Sequence, residues 1–149
     1  MLHLVSMKIT TKNFTNKVEN NENKAKMVIV SGYFNPLHIG HLEYINESKK
    51  LGDKLIVIVN SDQRRKMKGS KEFMSEHDRK IILSNLKSVD KAIISIDEDR
   101  SVSKTIKLIF ERYNKDFDLI FTNGGDQFFN DSPEKKICKT LKITTIEGL

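Results

Sequence analysis

Two histidines that flank a glycine, His38 and His41, form the pattern in this sequence with the clearest chemical potential. They follow a β-branched run and an Asn35-Pro36 turn signal, so they lie where a strand gives way to a helix. The start of a helix presents unpaired N–H groups and the positive end of its dipole, which suit a phosphate group. Side chains three residues apart share one helix face, so both imidazoles can serve a single anion. The pattern predicts a site that stabilises charge on phosphoryl oxygens.

A single histidine in such a place is usually a surface or capping residue, and this is the alternative interpretation. Two features of the sequence favour the functional one. The histidines are paired, and Gly40 between them lacks a side chain, which lets a ligand approach the backbone.

The elements that position this motif follow from hydrophobic patterning. Strands are predicted over residues 27–30, 54–60, 89–96, 118–122 and 142–146. Helices are predicted from about residue 37 toward Gly52, after Ser75 with Ile82, Leu83 and Leu86 on its apolar face, from Ser101 or Ser103 to about 113, and from Ser132-Pro133 to about 141. This alternation predicts an α/β, Rossmann-like parallel five-stranded sheet with helices on both faces.

The segments with unusual residues all follow predicted strands, at positions 32–41, 60–71, 97–100 and 122–127. In a parallel sheet these segments meet at one edge, where ligands bind beyond the carboxyl ends of the strands. We therefore expect one composite site at that edge.

The decapeptide at residues 32–41, Gly-Tyr-Phe-Asn-Pro-Leu-His-Ile-Gly-His, resembles the signature of the cytidylyltransferase-like nucleotidyltransferases. The resemblance extends from residue 27 to the end of the chain. It implies transfer of AMP or CMP from ATP or CTP to a phosphorylated small molecule, with release of pyrophosphate. It also implies Mg²⁺ bound with the triphosphate, a cytoplasmic location and a homodimer. In this family His38 and His41 would be catalytic, and the implied nucleotide contacts are Gly32, Tyr33, Phe34, Asn35 and Gly40.

A basic loop carries the third catalytic candidate, Lys68, within Met-Lys-Gly-Ser-Lys. A lysine is a suitable mobile charge for a nucleotidyl group and departing pyrophosphate. The segment resembles the nucleotidyltransferase domain that makes ADP-heptose, in which Lys68 would contact the phosphates. On composition alone, a solvated basic loop is the alternative.

Further candidates come from the same resemblance. Arg79 would orient the loops at the sheet edge or the triphosphate, and an i,i+4 surface pair is its alternative. Residues 123–126 resemble the Gly-Gly-Asp motif of ADP-heptose-type enzymes, in which glycines let backbone amides approach a base or ribose. The implied nucleotide contacts there are Asn123, Gly124, Gly125 and Asp126. Asp62, Asp97 and Arg100 are weaker candidates for the second substrate, with a solvated loop as the alternative.

Composition bounds the remaining possibilities. The 149 residues suit one domain, predicted over 27–149, preceded by a disordered or loosely packed Asn/Lys-rich extension over 1–26. A single cysteine, Cys138, excludes an internal disulfide and fits a reducing cytosol. The chain has no long apolar run, so no membrane span is expected. Its net charge of +6 suits anionic metabolites, and aromatics at 7% are not interleaved as a nucleic-acid platform requires.

Two departures from the family pattern qualify these expectations. Many relatives carry Asp where this sequence has Asn35, which weakens a direct metal contact. Relatives also continue past the last strand into a Ser/Thr-rich motif that grips the triphosphate, whereas residues 143–149 end without it. A non-catalytic nucleotide-binding module is therefore the main alternative. An aminoacyl-tRNA synthetase fragment is the other, because His-Ile-Gly-His also opens that family, although no room remains for its further domains.

Overall fold

The computed structural model describes residues 24–63, 74–124 and 132–149. Within these ranges strands and helices alternate strictly, which confirms the predicted α/β, Rossmann-like class. The strands are β1 (Ala25–Gly32), β2 (Lys54–Val59), β3 (Lys91–Ile94), β4 (Phe117–Asn123) and β5 (Thr144–Glu147). The helices are α1 (Ile39–Lys49), α2 (Glu76–Ser84), α3 (Ser103–Tyr113) and α4 (Pro133–Leu141).

The sheet is parallel throughout, with the strand order β3-β2-β1-β4-β5. β1 lies at the centre, and Val28 pairs with Leu55 of β2 on one side and with Ile120 of β4 on the other. The order of the strands reverses between β1 and β4, so a crevice opens there beyond their carboxyl ends. The histidine motif follows β1 and therefore lies at this crevice.

Helices cover both faces of the sheet, as predicted. Successive residues of β1 point to opposite faces. Met27 and Ile29 belong to one core cluster with residues of α3 and α4, whereas Val28 and Val30 belong to a second cluster with Ile45 of α1 and Leu83 of α2. This two-sided burial explains why β1 and β2 are continuous apolar runs instead of alternating ones.

Several boundaries differ from the sequence-based prediction. β1 begins at Ala25, two residues inside the extension predicted over 1–26, and Lys26 donates its backbone N–H to the Asp53 carboxylate over 2.8 Å. The rest of that extension, up to residue 23, lies outside the described residues. α1 begins at Ile39 and ends at Lys49, inside the predicted limits.

Two of the three predicted helix caps are confirmed. Ser75 and Ser132 cap α2 and α4, as expected, by accepting backbone N–H groups of the first turn. The cap predicted at Ser101 or Ser103 is wrong, because the N-cap of α3 is Val102, whose side chain makes no capping bond. Ile82 was wrongly placed on the buried face of α2 and is 41% exposed, whereas its neighbour Leu83 is fully buried. In the described ranges no helix has both the length and the apolar character to cross a membrane.

Candidate active site

The two histidines build the start of α1 together. His38 is the N-cap, with an extended backbone, and its Nδ1 accepts the N–H of Gly40 over 3.1 Å. The Nδ1 of His41 accepts the N–H of His38 over 3.2 Å. The imidazoles thus take the places that a serine and a glutamate occupy in an ordinary capping box. Gly40 lets the His38 ring lie close to the backbone, since a Cβ there would lie 3.0 Å from Cε1 of His38 and the ring would have to shift slightly.

These two bonds fix the tautomer of both rings. A neutral imidazole has one N–H and one acceptor nitrogen. Because each Nδ1 accepts a backbone N–H, each ring carries its proton on Nε2. The rings of His38 and His41 stack with centroids 3.8 Å apart and an interplanar angle of 25°. The site therefore holds two adjacent Nε2–H donors at the N-terminus of a helix.

The protonation of His41 is disfavoured. Partial burial lowers its pKa below the ordinary value of 6.5, and the nearby charge of His38 lowers it further. At neutral pH His41 is consequently an uncharged donor.

The Phe34 side chain packs against the His41 ring. It is 1% exposed, and its ring meets the His41 ring edge-on with centroids 5.1 Å apart. A Cβ on Gly32 would lie 2.9 Å from Cζ of Phe34, so glycine makes room for this ring. The Phe34 side chain is therefore part of the core. The nucleotide contact of Phe34 stays a prediction.

Arg79 joins the loops at the carboxyl edge of the sheet. Its side chain is fully buried, and Nη1 donates to the carbonyl oxygens of Tyr33 at 2.8 Å and Asn60 at 2.7 Å. Nε donates to the Met74 carbonyl at 3.1 Å, and Nη2 pairs with the Asp62 carboxylate at 2.6 Å. The geometry matches the loop-orienting role. The surface-pair alternative is wrong, and a contact with triphosphate does not fit a guanidinium enclosed by protein oxygens.

Two carboxylates that are weak candidates for the second substrate accept backbone N–H groups at helix starts. Asp62 accepts the Glu76 N–H at 3.2 Å in addition to its pair with Arg79. Asp97 is 5% exposed and accepts the N–H groups of Lys104 at 2.7 Å and Thr105 at 3.0 Å, which caps α3. A carboxylate is stabilised at a helix N-terminus by the dipole and the unpaired donors. The assignment of either carboxylate to the second substrate stays a prediction.

The remaining predicted residues divide into those at the crevice and those outside the described ranges. The Oδ1 of Asn35 accepts the Met74 N–H at 3.1 Å, which ties the histidine loop to the segment before α2. Tyr33, Asn123 and Gly124 are half-buried, and Arg100 is exposed. Lys68, Gly125 and Asp126 lie outside the described residues. The structure thus brings the ends of β1 and β4 together with the start of α1.

Tyr44 is a structural residue of this region that the sequence did not reveal. Its hydroxyl donates to the Thr122 carbonyl over 2.7 Å. Burial raises the pKa of Tyr44 to about 12, against the lowering effect of hydrogen bonds to Thr122 and Ser31. Its only sequence signal is the spacing of three from His41, which places both on one side of α1.

The family follows from comparison with known proteins. A model of the cytidylyltransferase-like family matches residues 29–147, which include all the helices and strands given above except the first residues of β1. The chain belongs to the cytidylyltransferase-like family. It is accordingly a nucleotidyltransferase.

Individual relatives of this family member share much of its length. It is 41% identical over 118 residues to the FAD synthase of Picrophilus torridus, covering 79% of this chain and 78% of that protein. It is 34% identical to the bifunctional protein HldE of Aliarcobacter butzleri, covering 79% of this chain but 23% of that protein. A solved structure, the lipopolysaccharide core biosynthesis protein from Thermoplasma volcanium, matches with a TM-score of 0.64 and 33% identity, over 83% of this chain and 94% of that one.

Proposed function

We propose that this protein transfers AMP from ATP to the phosphate group of FMN, forming FAD and releasing pyrophosphate. The observation that carries nucleotidyl transfer is the pair of stacked imidazoles that present Nε2–H donors at the start of α1. The choice of acceptor rests on relatives named FAD synthase, which align with this chain over 70–80% of their own length.

The reaction is a direct in-line displacement. A phosphate oxygen of FMN attacks the α-phosphorus of ATP, a new P–O bond forms, and the bond from that phosphorus to the β-phosphate oxygen breaks. The electron pair leaves with pyrophosphate. Because the attacking group is already an anion, neither a protein nucleophile nor a strong base is needed. His38 and His41 donate from Nε2 to the phosphoryl oxygens as charge builds there.

The other residues supply position and charge. The start of α1 contributes its dipole and backbone N–H groups to the phosphates. The backbone at Asn123 and Gly124 faces the same crevice and suits the ribose or base. Lys68 is proposed to follow the departing pyrophosphate.

ATP is proposed to bind as its Mg²⁺ complex, in which the metal neutralises phosphate charge. In the described part of the chain, no three His, Cys, Asp or Glu side chains come together as a metal cluster. Phosphate oxygens and water are the proposed ligands of the metal.

A phosphorylated sugar is the second candidate acceptor. It is supported by the similarity to HldE from Aliarcobacter butzleri and from Blochmanniella floridana, the latter 40% identical over 108 residues. These matches cover less than a quarter of each HldE chain, so they support the candidate less strongly than the FAD synthases support FMN.

Pyrophosphate release with each nucleotide and acceptor tests the proposal. ATP and CTP are each incubated with FMN, sugar phosphates, polyol phosphates and phosphorylated amino alcohols, in the presence of Mg²⁺. We expect pyrophosphate with ATP and FMN only, together with FAD identified by mass. His41→Ala removes one Nε2–H donor and should lower turnover about a hundredfold while the protein stays folded.

Other results would contradict specific parts of the proposal. Turnover with a sugar phosphate but not with FMN would show that the acceptor is a sugar phosphate. Nucleotide binding without product from any acceptor would favour a binding module. An unaltered rate in His41→Ala would refute the role of the histidine.

A further inference from the structure

Tyr44 joins the two walls of the crevice at which the strand order reverses. α1 lies over β1 and β2, yet the Tyr44 hydroxyl reaches β4 and donates to the Thr122 carbonyl over 2.7 Å. The two residues are 78 positions apart in the sequence. This bond therefore connects the helix that carries the histidines with the strand on the far side of the crevice.

A second hydrogen bond reinforces the connection one turn further along α1. Ser48 is four residues from Tyr44 and lies on the same helix face. Its Oγ lies 2.9 Å from Oγ1 of Thr122, and both residues are 0% exposed. Thr122 thus forms hydrogen bonds with α1 through both its main-chain carbonyl and its side-chain hydroxyl. Buried hydrogen bonds of this kind fix the distance between two elements, because an unpaired group there would be costly.

The ring of Tyr44 also shapes the end of β4. A Cβ on Gly124 would lie 2.8 Å from Cδ1 of the Tyr44 ring, closer than real Cβ contacts come. Glycine at position 124 therefore lets the chain leave β4 directly against this ring. The hydroxyl and the ring of Tyr44 together hold residues 122 and 124.

We propose that Tyr44 is a positioning residue that sets the separation between the N-terminus of α1 and the carboxyl end of β4 for the bound nucleotide. This inference rests on the proposed function, in which the phosphates meet the start of α1 and the nucleoside meets residues 123 and 124. One nucleotide must satisfy both walls at once, so a change in their spacing weakens both sets of contacts. The acceptor, which approaches the α-phosphorus from outside, depends less on this spacing.

Tyr44→Phe tests the inference, because it removes the hydroxyl and keeps the ring against Gly124. The affinity for ATP is measured by calorimetry, and KM is measured for each substrate. We expect ATP affinity to fall about three- to tenfold, as for the loss of one hydrogen bond, with KM for the acceptor and kcat at saturation within about twofold. Tyr113→Phe is the matched control: it removes the same atom on the opposite face of the sheet and should leave ATP affinity unchanged.

The possible results separate this inference from the proposed function. A lower melting temperature with unchanged ATP affinity would show that Tyr44 stabilises the fold only, and would overturn the inference. An equal loss of affinity for ATP and for the acceptor would also overturn it. If the wild-type protein binds ATP but makes no FAD, the proposed acceptor fails while the calorimetric comparison still decides the role of Tyr44. If the wild-type protein binds no nucleotide, both proposals fail.

Discussion

α1 and α2 begin at the same edge of the sheet but complete their first turns with different groups. At α2, Ser75 caps the helix, Glu76 and Asp78 complement the dipole, and Asp62 pairs with the buried Arg79. At α1, His38 and His41 supply the caps, and the first turn carries no acidic residue. Acidic residues of the first turn thus complement the dipole of α2, whereas the first turn of α1 itself contains no carboxylate.

The two helix starts therefore suit different roles. The start of α2 joins parts of the protein, whereas the start of α1 suits an anion. A helix start that keeps its own carboxylates repels an anion, whereas one capped by neutral imidazoles attracts it. The caps of α1 also retain a donor after capping, since each ring uses Nδ1 for the backbone and keeps the Nε2–H. A serine cap retains no comparable pair of aligned N–H donors. The residue types at the two helix starts therefore predict which one faces substrate.

A substitution at the start of α2 is expected to have the largest effect, and this effect is on stability. Arg79→Met removes the ion pair with Asp62 and three hydrogen bonds to backbone carbonyl oxygens, so we expect the free energy of unfolding to fall by about 3–5 kcal/mol. Urea unfolding measures it. The neighbouring Lys80→Met makes a similar replacement at an exposed position and should change stability by less than about 0.5 kcal/mol. A small loss in Arg79→Met would show that the guanidinium is not what joins these loops.

The next effect separates capping from chemistry at α1. Asparagine is a good N-cap, so His38→Asn should retain the stability of the start of α1, whereas His38→Ala should lower the free energy of unfolding by about 1 kcal/mol. Both variants lack the Nε2–H donor, and turnover should fall by about a hundredfold in each.

Ser75→Ala is the counterpart at α2. It should lower stability by about 1 kcal/mol with turnover unchanged. If His38→Asn kept full turnover, the imidazole at position 38 would be a cap only, and the contrast between the two helix starts would fail.

The smallest expected effect is on the protonation of His41. Its pKa lies below 6.5, so the neutral form is retained as the pH falls to that value, and protonation at lower pH removes the acceptor at Nδ1 and the activity with it. Replacing His38 with Asn removes one of the two causes and should raise the pKa of His41. Long-range ¹H–¹⁵N NMR measures the pKa and the tautomer. A proton on Nδ1 above the pKa, or a pKa above 6.5, would contradict the capping geometry.

The sequence predicted most of the fold because its signals are local. Apolar runs of the right length mark β1 and β2. The starts of α2 and α4 are marked by Ser75 and Ser132, each of which accepts a backbone N–H only three residues later, and Pro133 is the first residue of α4. Ile82 was misplaced because periodicity describes a helix face but not which side the sheet covers. The exposure of Ile82 depends on how α2 packs.

The site was predicted less completely because its contacts are not local. The histidines are recognisable from their spacing, but Tyr44 acts through Thr122, which is 78 residues away. Asp97 follows β3 in the position of a substrate ligand, yet it caps a helix that begins six residues later. A carboxylate beyond a strand serves either purpose, and only the path of the following chain decides between them.

The two edge strands of the sheet affect whether it can pair with a strand of another molecule. Among the residues that the structure describes, the outermost strands are β3 and β5, which are four residues long and lie beside longer neighbours. β3 begins with the exposed Lys91, and β5 ends with the exposed Glu147. Short, charged margins offer few open backbone groups to a strand from another molecule. A protein built in this way resists growing into aggregates through its sheet, even when it is concentrated.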